Sequence, residues 1–282
     1  MKEETKQIKE ISEGKEKGPK MTLMIKEDWA KSIHRESGMT LEEEKRYRAG
    51  AVLFIKNYGK SMVYKKKETI TYKAIFIFHK YSVQKSFKKF DRYMYGAVSV
   101  LLAGKIEDEL RKFEEAVLRY KYHIYLMQQT EGAGPLKDFK EKEFENGIVD
   151  FQKSVDSKSI QETKNIFFNT EMDLLKMMGY ELNITLPYTF LDEFQQNFPL
   201  PGWGEDDKKK FYRYSRNIIN DSFGTLVCLY YEPYLIALAG LASASLVYKM
   251  LPDKWYTFFS SLTSLDEINE IVKCVTDIYR SS

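Results

Sequence analysis

Cysteine and histidine are scarce in this 282-residue chain: two cysteines, Cys228 and Cys274, and three histidines, His34, His79 and His123. Each cysteine stands alone inside an apolar helical pattern, with no CxxC pair and no Cys/His cluster. That excludes a disulfide framework or a zinc site and predicts reduced core residues of an intracellular protein. No metal and no cofactor is expected. Net charge is small as well: 44 Lys and Arg against 41 Asp and Glu leave +3, with the signs interspersed, so no basic face for direct nucleic-acid binding is expected. Long apolar runs are missing. The run from Tyr93 to Ala103 is broken only by Ser99 and spans about eleven residues, where a bilayer needs about twenty. No membrane association is therefore expected. The N-terminus is charged rather than apolar, which argues against a secretory signal. Ser/His/Asp and Cys/His constellations, phosphate-binding loops and metal-ligand spacings are lacking too, and each histidine sits isolated in a helical pattern. Catalysis by this chain is not expected, and no catalytic residue is assigned.

Aromatic residues, in contrast, are plentiful: 20 Tyr and 18 Phe, with 43% hydrophobic residues overall, which argues for packed cores. The organising stretch is Thr69 to Arg111. Ile70, Ala74, Ile77, Phe78 and Tyr81 mark one face of an amphipathic helix. Asp91 then caps a second helix, which is apolar nearly all round and so predicts a buried central element. It ends abruptly at Lys105-Ile106-Glu107-Asp108-Glu109.

Around these two, residues 1–24 predict a disordered tail, and Trp29 and Ile33 mark a short extra N-terminal helix. Thr40-Leu41-Glu42-Glu43 fits a capping box opening a helix that Gly59 closes. A fourth helix is predicted over 111–129 and a fifth over 159–178, with a long charged loop over 130–158 between them that has room for a short helical turn. The pattern then recurs. Helices are predicted over 187–197, 208–231, 234–251, 255–261 and 265–280. The small-residue run Tyr234-Leu-Ile-Ala-Leu-Ala-Gly-Leu matches Tyr93–Lys105 about 140 residues earlier. The expected architecture is all-α: tandem five-helix bundles, 25–185 with the N-terminal extension and the 130–158 loop, then 186–282.

Two charges fall on apolar stripes. Lys105 continues the face of Ala97, Leu101 and Leu102; it either snorkels over apolar surface or serves a contact. Glu171 lies four residues after Phe167 and four before Leu175. A carboxylate there is either internally paired or half-exposed at a seam that something else covers. The second bundle has neither charge, its position matching Lys105 being near Leu246.

The block FHKYSVQKSFKKFDRYMYGAVSVLLAGKIED, with the preceding YRAGAVLFI and the later TEMDLLKMMGYELNITLP, resembles the cyclin box, and specifically the transcriptional cyclins T, K and L. The resemblance covers residues 40–190 well and the remainder in helix type and order. It implies a tandem cyclin fold and a non-catalytic chain that forms a heterodimer with a cyclin-dependent kinase and activates it. Lys105 in LAGK and Glu171 in NTEMDLL match the pair with which cyclins hold the kinase's regulatory helix. Leu101, Asp108, Tyr180 and Leu182 match positions lining or rimming the same surface. The stretch Tyr47-Arg48-Ala49-Gly50-Ala51 departs from the MRAIL motif of cell-cycle cyclins, since Gly50 and Ala51 replace bulky apolar residues. That argues against a substrate-docking pocket of that type and for the transcriptional group. A kinase acting on the RNA polymerase II tail and a nuclear location follow from the resemblance alone.

The alternative is a cyclin-fold general transcription factor of the TFIIB type, binding promoter DNA and protein. It predicts a basic groove and often an N-terminal zinc ribbon, and the near-zero net charge and isolated cysteines speak against both.

Overall fold

A computed structural model describes residues 33–129, 134–198, 202–249, 251, 254–261 and 263–280, and among these the secondary structure is helical with no strand. The expected 1–24 tail and Trp29 lie outside the described residues; of the N-terminal extension, the short helix α1 (Ile33–Glu36) is seen. The chain divides into two compact units between Asn183 and Ile184.

In the first unit α2 (Leu41–Ser61) opens on the capping box: the Thr40 backbone N–H donates to Glu43 at 2.8 Å and the Glu43 N–H to the Thr40 hydroxyl at 3.1 Å. The helix runs on past Gly59, where the sequence predicts its end. Next come α3 (Lys67–Ser82) and α4 (Arg92–Ile106), the latter started by Asp91, whose carboxylate accepts from the N–H groups of Tyr93 and Met94. The predicted α3 face of Ile70, Ala74, Ile77, Phe78 and Tyr81 is buried throughout. With α5 (Phe113–Gln129) and α7 (Ser157–Met177), α2 and α3 surround α4. From Gly96 to Gly104 every residue of α4 is buried, as an apolar helix requires.

The 130–158 stretch corrects the expectation of a long loop. It contains a 14-residue helix, α6 (Glu141–Ser154). Phe144, Ile148 and Phe151 recur at i, i+4 and i+7 and close, with Phe139, over Leu118, Tyr122 and Leu126 of α5. Their rings lie 4.8 Å (Phe144) and 5.0 Å (Phe151) from that of Tyr122. Polar ties fix the same segment. Asn57 donates to the Leu136 carbonyl at 2.7 Å, and Arg119 spans Glu115 and Glu145 at 3.2 and 2.5 Å.

The second unit comprises α8 (Pro187–Asn197), α9 (Glu205–Ser222), α10 (Val227–Tyr230), α11 (Pro233–Tyr248) and α12 (Leu265–Arg280). Here α11 is the central apolar helix. Its Gly240 lies so near α9 that a Cβ would come within 2.9 Å of the Ser215 carbonyl. Two expectations need correction. The helix predicted over 208–231 stops at Ser222, where Gly224 and Thr225 turn back onto the carbonyls of Asp221 and Ser222, and only the four-residue α10 follows. The helix predicted over 255–261 is a three-residue 3-10 turn, Trp255–Thr257, followed by Phe258 and Phe259, which pack on Phe194.

Candidate functional site

At the C-terminal end of α4 the two misplaced charges meet. Lys105 Nζ lies 2.6 and 2.8 Å from the two carboxylate oxygens of Glu171 on α7. The ammonium also stands 5.0 Å over the ring of Phe113, the first residue of α5. So three helices converge on one cation. The pair is lopsided: the Lys105 side chain keeps 35% of its surface exposed, that of Glu171 only 8%. A second tie between α4 and α7, Tyr95 donating to Asp173 at 3.0 Å, fixes their relative register.

The acidic run that ends α4 serves the fold. Glu107 pairs with Lys73 and Lys66 at 2.5 and 2.9 Å. Glu109 accepts from the backbone N–H groups of Lys65 and Lys66 at 2.6 and 2.8 Å, supplying the partner that the start of α3 lacks. Against the opposing effect of burial, the ammonium groups of Lys73 and Lys66 hold Glu107 below the usual carboxylate range, and the two backbone N–H groups, with the charge of Arg111, hold Glu109 there. Between the two glutamates Asp108 takes a left-handed conformation, φ 59°, and is exposed.

The other expected surface residues separate into two groups. Tyr180 follows α7, also left-handed at φ 59° and 61% exposed, and Leu182 is half-buried just beyond it. Leu101, at 3% exposure, is packed beneath Lys105, one helical turn back on the inward face. Phe113 and Phe168 are contributions that the sequence reading misses. Phe168 lies one turn before Glu171 on α7, a spacing that could have flagged it, and is 58% exposed.

All three histidines are core residues. His34 Nδ1 accepts from the Phe87 N–H, so its Nε2–H donates to the Ser82 carbonyl at 2.9 Å, and burial keeps the ring's pKa below its ordinary value. His79 Nδ1 accepts from Arg48, which also reaches Ser82 and Glu44 at 2.8 Å each. The Ser61 hydroxyl donates to the Tyr58 carbonyl, so His123 Nε2–H donates to that hydroxyl; burial, then the nearby Arg119, lowers its pKa to about 3. Among the described residues no His/Cys/Asp/Glu group could hold a metal ion, and no helix is long and apolar enough to cross a membrane.

No protein-family model matches the chain. An uncharacterised cyclin-L1-like protein of Schizosaccharomyces pombe is 27% identical over 127 residues, 45% of this chain and 46% of that protein. Cyclin-T1-3 of Oryza sativa subsp. japonica is 24% identical over 264 residues, 92% of this chain and 48% of that protein. The chain thus spans about half the length of these curated relatives. Among solved structures, a chain of the yeast TFIIK (Kin28/Ccl1/Tfb3) complex superposes with a TM-score of 0.61 at 16% identity, over 90% of this chain and 96% of that one. This chain therefore carries the cyclin fold, and the curated proteins it resembles in sequence are named as cyclins.

Proposed function

We propose that the chain is the regulatory subunit of a heterodimer with a cyclin-dependent kinase of the transcriptional type, which it activates without catalysing anything itself. The observation that carries this reading is the Lys105–Glu171 pair, set where α4, α5 and α7 converge, with its cation open to solvent on one side. A helix end presents backbone N–H or C=O groups without intrahelical partners. A lysine with a spare N–H and a carboxylate with spare lone pairs can satisfy such groups together. The kinase's regulatory helix, held by one end, would stay in the inward position that lets the kinase form its own Lys–Glu pair, as phosphoryl transfer requires.

Three further observations support the reading. The relatives are named as cyclins T1 and L1-like, and the structural neighbour belongs to a complex named Kin28/Ccl1/Tfb3. The histidines, the obvious acid–base candidates, are used up in the core. The chain's charges nearly cancel, 44 Lys and Arg against 41 Asp and Glu, where promoter binding calls for a basic face. On this reading the heterodimer phosphorylates the RNA polymerase II tail and works in the nucleus.

The test is an affinity pull-down from the source organism's lysate, with bound proteins identified by mass spectrometry and the complex assayed on a polymerase-tail peptide. Recovery of a cyclin-dependent kinase, lost on Lys105→Ala/Glu171→Ala, supports the proposal. Recovery of promoter factors or DNA without a kinase overturns it in favour of the TFIIB-type alternative.

A further inference from the structure

Beside the Lys105–Glu171 pair an open groove runs between the start of α5 and α7, lined by Arg111, Lys112, Phe113, Lys164 and Phe168, with Glu114 the acidic residue among them. Two features set it apart from ordinary surface. Its floor is aromatic: Phe113 is shared with Lys105, and Phe168, 58% exposed, lies beside it in the same groove, so the two rings form one apolar patch. Its rim is cationic. Three positive side chains face one carboxylate, and that carboxylate is already engaged by Lys164.

We infer that this groove docks an acidic segment of the kinase partner, adjoining the helix end held by Lys105 and Glu171, with one bulky apolar side chain seated between Phe113 and Phe168. The inference rests on the proposed function and adds to it a second contact with its own chemistry. Continuity names the occupant: Phe113 belongs both to the groove and to the cation site, so a chain that reaches Lys105 is carried onto this floor. Charge complementarity sets the segment's composition. Carboxylates flanking the apolar residue would meet Lys112, which has no ion pair within 4 Å among the described residues, and Arg111, whose guanidinium rests 5.3 Å over the Tyr64 ring, whereas a basic segment would be repelled. The apolar anchor supplies affinity by desolvating Phe168, and the charges supply orientation and a faster encounter.

The experiment titrates each recombinant cyclin-dependent kinase of the source organism against the intact chain by calorimetry, at two salt concentrations. The wild-type chain is compared with Phe168→Ala, Lys112→Glu and Lys105→Ala. Both groove residues are exposed, and melting temperatures verify that the variants are folded. The expected result is a Kd about tenfold weaker for Phe168→Ala at either salt concentration. Lys112→Glu is expected to weaken binding chiefly at low salt and to flatten the salt dependence of Kd. Should one kinase bind and depend on Lys105, while Phe168→Ala and Lys112→Glu bind within twofold of wild type, the groove is overturned and the proposed function stands. If no kinase binds the wild-type chain, the proposed function falls and the groove's occupant falls with it. A self-association of the chain abolished by Phe168→Ala would give the groove to a second copy and overturn the inference.

Discussion

Lys105 and Glu171 satisfy one another across α4 and α7 but are unequally buried, the lysine side chain 35% exposed and the carboxylate 8%. The inequality predicts an unequal response. In Lys105→Ala a nearly buried carboxylate loses its counter-charge, which should cost about 1–3 kcal/mol. In Glu171→Ala the lysine can turn to water, and the loss should stay below about 1 kcal/mol. If the pair docks a kinase as proposed, both variants should lower kinase activation by about tenfold or more, since each removes a charged group from the contact. Thermal melting beside a kinase assay measures both effects. Normal activation together with a large melting loss would show that the pair serves the fold alone.

Gly147 of α6 carries no side chain because Tyr122 of α5 fills the space: a Cβ there would lie 1.9 Å from the phenol oxygen and 3.0 Å from the ring carbon bearing it. Helix propensity alone would favour alanine by about 1 kcal/mol. Overpacking should outweigh that gain, because Tyr122 is wedged between Phe144 and Phe151, and Gly147→Ala should destabilise by about 1–2 kcal/mol net. Removing the phenol oxygen relieves the closest contact, so Tyr122→Phe/Gly147→Ala should be more stable than Gly147→Ala. Urea denaturation of the three variants tests the sign, and a stabilising Gly147→Ala would show that α6 is loosely seated.

What the sequence discloses follows from how strongly period and chemistry coincide. The long elements of the first unit are legible because stripes such as Ile70–Tyr81 and caps such as Thr40 and Asp91 agree on the same boundaries. The helix α6 is hidden because its apolar stripe is only three residues long and lies among lysines and glutamates, within a stretch that begins in glycine and proline. What stabilises it is the tertiary contact with Tyr122, which no local pattern reports. The break after Ser222 is marked by Gly224 alone, against a continuing run of apolar residues. At the site, Lys105 and Glu171 stand out as charges on apolar stripes. Leu101 shares the stripe of Lys105, but one turn deeper that stripe is core. Phe113 belongs to another helix, and its place under the ammonium depends on how α5 packs.

Arg48 lies at the centre of a buried polar network. Its guanidinium reaches Glu44 and Ser82 at 2.8 Å each and His79 at 3.3 Å, while Glu44 also binds Arg35 of α1. The geometry requires a planar fork that lysine lacks. Arg48→Lys should therefore cost about 2–3 kcal/mol although the charge is kept. Amide hydrogen exchange should show the loss concentrated at α1 and the start of α2. A variant as stable as wild type would mean that the network adds no net stability.

His123 is neutral in the fold, its pKa lowered to about 3 by burial and by Arg119, against an ordinary value of 6.5. The unfolded chain therefore binds one more proton than the folded chain between those two pH values. Stability is complete above pH 6.5 and falls as the pH drops towards 3, by about 1.4 kcal/mol per unit for this one group. His34 and Glu44, whose pKa values are also lowered in the fold, act in the same direction, so the wild-type slope exceeds one proton. The contribution of His123 is isolated by comparison with His123→Gln. Urea denaturation between pH 4 and pH 6 should give the variant a slope shallower by about one proton, or about 1.4 kcal/mol per pH unit. Equal slopes would place a charged imidazole beside Arg119 in the folded protein, a repulsion that the hydrogen bond to Ser61 could not offset.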